Sequence, residues 1–291
     1  NYRFKNYDMI FIGSSKTQYH ISKSIFKEQD INIYNYGVSG HFFYDYPYMV
    51  EKSTLLNPKE IIISIPLWYL YHEDVADNAF KGILFEDFKY IVRTHSYKVS
   101  IAAFLELIKN LYLPFLYAQN INSRINKIYK KFNININDNN HLKNNKDNYQ
   151  EIQELKILRS HIDCAPFLDK KTIINCLNGD GILFGNLKTE IDKKKTIYLK
   201  NNELNIDKIN LLNLLNHKLE KKDIKLTLIF EPLRNNLYKF DKNFLKNKLN
   251  FKILNANTFS TKNTYWRDNG HFNSEGRKFY SEFLLNHLTN H

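Results

Sequence analysis

The chain reads as a three-layer α/β/α domain built on a five-stranded parallel sheet, with a helical insertion after the third strand. Three observations lead there. Short, Ile-rich apolar runs recur near both ends of the 291-residue chain, each the length of a buried strand. A segment of helical periodicity follows most of them at close spacing, the alternation that builds a parallel sheet. Between about residues 72 and 201 that rhythm stops.

Strand one is expected at 8–12, with a helix over 17–28 behind it. Strand two falls at 31–36 and its helix at 44–56. Strand three, 61–65, is stopped by Pro66, which cannot donate to a strand ladder. The pattern resumes with a helix at 206–221, strand four at 225–230, a short helix at 244–249 and strand five at 251–254. A last helix covers 274–288, with Asn273 as its N-cap. Inside the insertion, 79–117, 121–132 and 152–159 carry helical patterns. The stretch 133–149 holds eight Asn and reads as a loop. The whole is one domain, 1–291, of flavodoxin-like layering, with an insertion at about 72–201.

Composition narrows the function. A net charge of +12 invites a nucleic-acid reading, but the excess is dispersed Lys with no run of five basic residues, so no nucleic-acid partner is expected. Cys164 and Cys176 stand twelve residues apart with no CxxC pair, which argues against zinc. A disulfide between them and two separate thiols both remain open. No metal and no cofactor are expected. The apolar stretch 101–118 is interrupted by Glu106, Lys109 and Asn110, which suits a packed helix better than a membrane span. The first residue is Asn, so the chain is expected to be trimmed, with room for a signal or membrane tether upstream.

Chemistry concentrates in three short segments. Near the end stands Trp266-Arg267-Asp268-Asn269-Gly270-His271. In a turn, residues i and i+3 approach closely enough for the Asp268 carboxylate to hold the His271 Nδ1–H and leave Nε2 free as a base. Near the start, strand one runs into Gly13-Ser14-Ser15, where Ser15 is the candidate nucleophile, Ser14 its nearest competitor, and helix capping the alternative role of both. After strand two comes Asn35-Tyr36-Gly37-Val38-Ser39-Gly40. There the Gly40 N–H, with that of Ser15, is the candidate oxyanion hole. Parallel strands deliver ligand-facing residues at their carboxyl ends, so the three segments are expected to converge on one edge of the sheet. Trp68, His41 and Tyr69, beside the same strand ends, are candidate substrate contacts.

Together these segments resemble the SGNH/GDSL family of serine esterases and acyltransferases. Gly13-Ser14-Ser15 is similar to the family's GDS block, with Ser14 in place of its Asp. Gly40 matches the second-block glycine, and Asp268 with His271 matches the final DxxH. The third block, GxND, is replaced by Ile65-Pro66-Leu67-Trp68. The resemblance covers the two ends, about 160 residues. It implies an acyl-Ser15 intermediate, a catalytic set of Ser15, Asp268 and His271, and an oxyanion hole resting on two backbone amides. It is closest to bacterial cell-surface members that act on O-acetyl groups of exported polysaccharides. That implies a carbohydrate or acyl-ester substrate and a cell-envelope location, with a membrane anchor as one option. Two readings stand beside it: a non-catalytic glycan-binding protein, and a lipid esterase using 101–118 as an apolar groove.

Overall fold

In the computed structural model the described residues are 7–38, 43–71, 164–167, 170–176, 181–186, 194–259 and 262–289, with helical positions at 88, 92, 100, 101, 104 and 107. Five strands form one parallel sheet: β1 (Met9–Gly13), β2 (Ile33–Gly37), β3 (Glu60–Ile65), β8 (Lys225–Phe230) and β10 (Lys252–Asn255). Their spatial order is β10-β8-β3-β1-β2. Read from the β2 edge, the second strand lies outside the first and the others follow in turn, the doubly wound flavodoxin-like order.

The strands form here because both faces of the sheet are covered. The β1 residues Ile10, Phe11 and Ile12 are all fully buried, so an unbroken apolar run is what the position demands. Alternate side chains part to opposite faces. Met9 and Phe11 join Ile33, Ile62 and Ile229 in one core with Phe26, Trp266, Phe272, Tyr280 and Leu284. On that face lie α1 (Ser15–His20), α2 (Lys23–Lys27) and α6 (Ser274–Thr289), with α1 and α2 each packed on α6. The opposite face carries α3 (Tyr46–Thr54) and α4 (Ile206–Glu220), and α5 (Lys242–Lys246) precedes β10. Before β2, β3 and β8 the chain turns through Asp30, Asn57 and Asp223 at φ of 57°, 49° and 56°. Asp and Asn tolerate that left-handed conformation best among non-glycine residues.

The expected helix over 17–28 is two helices. Ile21 and Ser22 are extended between α1 and α2. The break is bound at every point. The Ile21 carbonyl accepts from Arg277 Nε (3.2 Å), Arg277 Nη2 (2.8 Å) and Asn35 Nδ2 (3.2 Å), and the Ser22 N–H donates to Ser281 Oγ (2.8 Å). Arg277 and Ser281 sit one turn apart on α6, so the last helix supplies the partners that a continuous helix would have supplied internally. The Asn273 cap of α6 is as expected: its Oδ1 accepts from Gly276 N–H at 2.9 Å.

The reading of 72–201 as helical needs correction. Residues 164–198 hold an antiparallel trio, β4 (Cys164–Phe167), β5 (Lys170–Cys176) and β6 (Gly181–Leu183), and a strand β7 (Lys195–Tyr198) parallel to β9 (Asn236–Lys239). β4, β6 and β7 are three or four residues long, β7 is largely exposed, and β5 opens on two lysines, so they lack the apolar runs that mark the main sheet. Gly181 reflects the packing of β6 on α1: a Cβ there would stand 2.6 Å from the Tyr19 ring. Cys164 and Cys176 are register partners across β4 and β5.

The chain divides into two compact units, 1–74 with 161–291, and 75–160. In the second, the described positions Phe88, Val92, Ser100, Ile101, Phe104 and Leu107 are helical, within the expected 79–117. The Phe88 and Phe104 rings lie 5.6 Å apart. The expected helices at 121–132 and 152–159 and the Asn-rich loop at 133–149 lie outside the described residues. Among the described residues no helix is long and apolar enough to cross a membrane.

Asn35 provides a test of how the first helices are seated. It is fully buried, and its Nδ2 donates to the carbonyls of Thr17 (3.0 Å), Gln18 (3.3 Å) and Ile21, while Oδ1 accepts from Gly37 N–H. Asn35→Ala should cost about 2–4 kcal/mol in urea unfolding, since buried acceptors lose their donor. Asn35→Asp should cost at least as much, because a carboxylate has no donor to offer those carbonyls. A loss below about 1 kcal/mol in both would show that Asn35 does not hold this junction.

Candidate active site

The site begins with the turn after β1. Gly13 pairs with Gly37 on one side and Ser64 on the other. A Cβ at Gly13 would come within 2.7 Å of the Ser64 carbonyl, so only glycine lets the chain turn here without displacing β3. Ser14 is the N-cap of α1, its Oγ accepting from Lys16 N–H at 3.3 Å. Ser15 is therefore the first helical residue, and its hydroxyl is left for other use. Ser14 caps the helix, and the Ser15 hydroxyl turns to another partner.

The Ser15 hydroxyl meets His271 Nε2 at 2.9 Å across 256 residues of sequence. On the far side of the ring, Nδ1 lies 3.0 Å from Asp268 Oδ1 and 3.1 Å from Oδ2. Asp268 also accepts the backbone N–H of Gly270 (2.7 Å) and of His271 (2.9 Å), which folds the turn around its own carboxylate. An antiparallel bridge between Trp266 and Phe272 closes this loop, and their rings pack 4.4 Å apart in the core. Arg234 reaches in from beyond β8 to give Nη1–H to Asn269 Oδ1 at 2.9 Å. Burial alone would raise the Asp268 carboxyl. Its hydrogen bonds from the His271 ring and the two backbone amides, with the ring's charge, outweigh burial and hold it below the ordinary carboxylate range.

With Nδ1 facing a carboxylate, the neutral ring carries its proton there and offers the Nε2 lone pair to Ser15. The linked order carboxylate, imidazole, hydroxyl can take a proton from the serine and stabilise the resulting cation. As the first residue of α1, Ser15 also has a backbone N–H with no acceptor inside the helix.

Three further groups, to which the sequence reading gives no role in the site, surround this chain of bonds. His20, fully buried, lies under the base: its ring packs edge-on to His271 at 6.2 Å and tilted on Phe272 at 4.2 Å, and its Nε2 accepts Phe272 N–H at 3.1 Å. Burial first, then the charges of His271 and Lys16, push its pKa well down, so it stays neutral. Glu231, immediately after β8, is buried, with Oε1 accepting from Ser64 Oγ (3.0 Å) and Thr17 Oγ1 (3.3 Å). Burial pushes its carboxyl up, against the pull of Lys16, the two hydroxyls and His271. Lys16 is partly buried, and desolvation lowers its amine against the charges of Glu231 and Asp268. No local signal marks these residues, because their partners lie on other elements of the fold.

Of the other expected site residues, Trp68 and Tyr69 stand on the 3-10 turn Leu67–Leu70 after β3, the strand beside β1, at the carboxyl edge that carries Ser15. The two rings pack edge-on at 4.4 Å. Lys208 of α4, fully buried, donates from Nζ to the Tyr69 carbonyl at 2.7 Å and fixes that turn. Gly40 and His41 lie outside the described residues. Among the described residues no three His, Cys, Asp or Glu side chains gather as a metal site. No family model and no curated protein sequence matches this chain.

The lowered Asp268 carboxyl makes a signed prediction. A carboxylate whose folded pKa is depressed contributes stability above its unfolded pKa, near 3.9, and loses it as pH falls through the folded value. Wild type should exceed Asp268→Asn in melting temperature at pH 7, and the gap should narrow by pH 3. A gap that stays constant or widens on acidification would contradict this electrostatic account.

Proposed function

We propose that the chain is a serine-dependent esterase or acyltransferase of SGNH/GDSL type. Its substrate is a small acyl group, acetyl foremost, on a hydroxyl of a cell-surface carbohydrate, and it works through an acyl-Ser15 intermediate. The observation that carries this reading is the unbroken line from Asp268 through His271 to the Ser15 hydroxyl. A serine hydroxyl is a weak nucleophile at neutral pH, and an oriented imidazole at hydrogen-bond distance is what activates it.

In this reading His271 Nε2 takes the Ser15 proton as Oγ bonds to the acyl carbon, and Asp268 stabilises the imidazolium. The tetrahedral oxyanion is met by the N–H groups of Ser15 and Gly40. His271 then returns the proton to the sugar oxygen as the C–O bond to the leaving alcohol breaks. Water, deprotonated by the same base, releases the acid in hydrolysis; a second sugar hydroxyl in that role gives transfer. Trp68 and Tyr69, in place of a third-block donor, wall the acyl side and offer aromatic faces to a sugar ring. A bacterial cell-envelope location goes with this substrate class.

Hydrolysis of a chromogenic acetyl ester, compared with a long-chain ester, tests the reading. The acetyl ester should be the better substrate, and Ser15→Ala should reduce turnover by at least about 10³-fold without loss of folding. Preference for the long chain would favour a lipid esterase, and inactivity toward both would favour a binding protein. A fluorophosphonate adduct should map to Ser15; one on Ser14 overturns the assignment. His271→Ala should cost more than Asp268→Asn, and the double variant should be no slower than about the worse single one, as for residues that act as a unit.

A further inference from the structure

Beneath the nucleophile turn lies a second carboxylate, to which neither the motif comparison nor the reaction steps above give a role. Glu231 directly continues β8, its N–H donating to the Ile65 carbonyl at 2.9 Å, which fixes it between the ends of β3 and β8. It is 1% exposed. Oε1 takes both hydroxyl donors, Thr17 from the first turn of α1 and Ser64 from β3. Oε2 is buried with no hydrogen-bond partner among the described residues. A buried, half-satisfied carboxylate is costly, and a fold retains one at that cost only where its shape or its charge is used.

Both uses are visible. Thr17 is two residues from Ser15, and its hydroxyl sits over Gly13, where a side chain would collide with Thr17 and Ser64. Glu231 ties these two neighbours to one oxygen, so the turn that aims the Ser15 hydroxyl is braced from below. The charged and titratable groups that sense Glu231 are Lys16 on α1, His271 on the closing loop, Tyr46 on α3 and Tyr280 on α6. Burial pushes both tyrosines well up, so they stay neutral. Against the His271 ring itself stand Asp268 and the Ser15 hydroxyl, both directly bonded, neutral His20, and the Tyr19 ring of α1, edge-on at 5.6 Å. The field at the base therefore comes from two carboxylates and Lys16.

We propose that Glu231 is a positioning residue of this site: ionised, it braces the Ser15 turn through Thr17 and Ser64 and adds a second, buried negative charge that favours the protonated form of His271. The proposal rests on the serine-hydrolase reading for its catalytic consequence but not for its electrostatic one. Lys16 keeps the buried charge tolerable. Asp268 orients the ring by direct contact, and Glu231 acts on it through space, where low polarity screens charge weakly.

Glu231→Gln separates the two uses, because an amide oxygen still accepts from Thr17 and Ser64 while the charge is gone. The His271 Cε1–H resonance, followed against pH by NMR, should move its midpoint down by about 0.5 pH unit or more in the variant, since the imidazolium loses a nearby anion. If the enzyme turns over acetyl esters, the acid limb of kcat/KM should move down by the same amount. Thr17→Val should lower kcat about tenfold with KM little changed and leave both midpoints in place, the signature of lost alignment alone. An unmoved His271 midpoint in folded Glu231→Gln overturns the charge role, and wild-type kcat in Thr17→Val overturns the brace. An inactive wild type whose midpoint nonetheless shifts in Glu231→Gln would count against the esterase reading and leave the electrostatic role standing. Glu231→Asp, one methylene short, should keep the wild-type midpoint while losing rate; restored rate with a displaced midpoint would also overturn the assignment.

Discussion

The Ile21 carbonyl holds the architecture of the site together. It ends α1, and three N–H groups from elsewhere converge on it, one from Asn35 of β2 and two from Arg277 of α6. Arg277 is buried, so its charge is committed to that carbonyl and to neighbouring backbone rather than to solvent. Through this junction the segment that begins at Ser15 is fastened to the helix that begins just after His271. Serine and histidine are 256 residues apart in sequence, and a rigid splice six residues beyond each lets them meet at 2.9 Å. The Ser281 hydroxyl, bonded to Ser22 N–H, repeats the fastening one turn further along α6.

Around that splice the site is layered by polarity. The outer layer is the turn of Asp268, Gly270 and His271, which satisfies its own backbone amides on the carboxylate. Below lies His20, kept neutral by burial and accepting Phe272 N–H, so that a second, uncharged histidine sits against His271. Glu231 and Lys16 are a more expensive layer, an acid and an amine taken partly or wholly out of water beside Ser15 and His271. Desolvation works against both charges, and each relieves the other. Perturbed groups cluster preferentially at functional sites, and here His20, Lys16, Glu231 and Asp268 gather near Ser15 at the carboxyl ends of parallel strands.

Much of this was legible in the chain. The five parallel strands lie within a residue or two of where the apolar runs put them, because a strand buried on both faces must be apolar throughout. The Asp268–His271 spacing is a local turn property and could be read without a fold. The difference between Ser14 and Ser15 could not, since the two serines are adjacent at the start of the same helix; in the structure Ser14 caps the backbone and Ser15 faces His271. The break at Ile21–Ser22 was also illegible, because local periodicity continues through it and the donors that compensate it come from α6. Strands β4 to β7 escaped for a related reason: pairing in small sheets depends on a partner strand more than on any pattern of their own.

The sequence by itself determined the alternation of elements, the order of the main strands along the chain, the tight glycine turn after β1 and the local pairing of Asp268 with His271. Those follow from hydrophobic period, glycine's missing Cβ and the reach of a side chain across three residues. Only the tertiary structure decided that Ser15, not Ser14, meets His271, that His20 lies beneath that ring, and that Glu231 and Lys16 lie close enough to feel each other's charge. Each of those relations joins residues on different elements, up to 256 positions apart. No local preference encodes such a distance; it exists once the sheet has brought the strand ends to one edge and α6 has locked onto the Ile21 carbonyl.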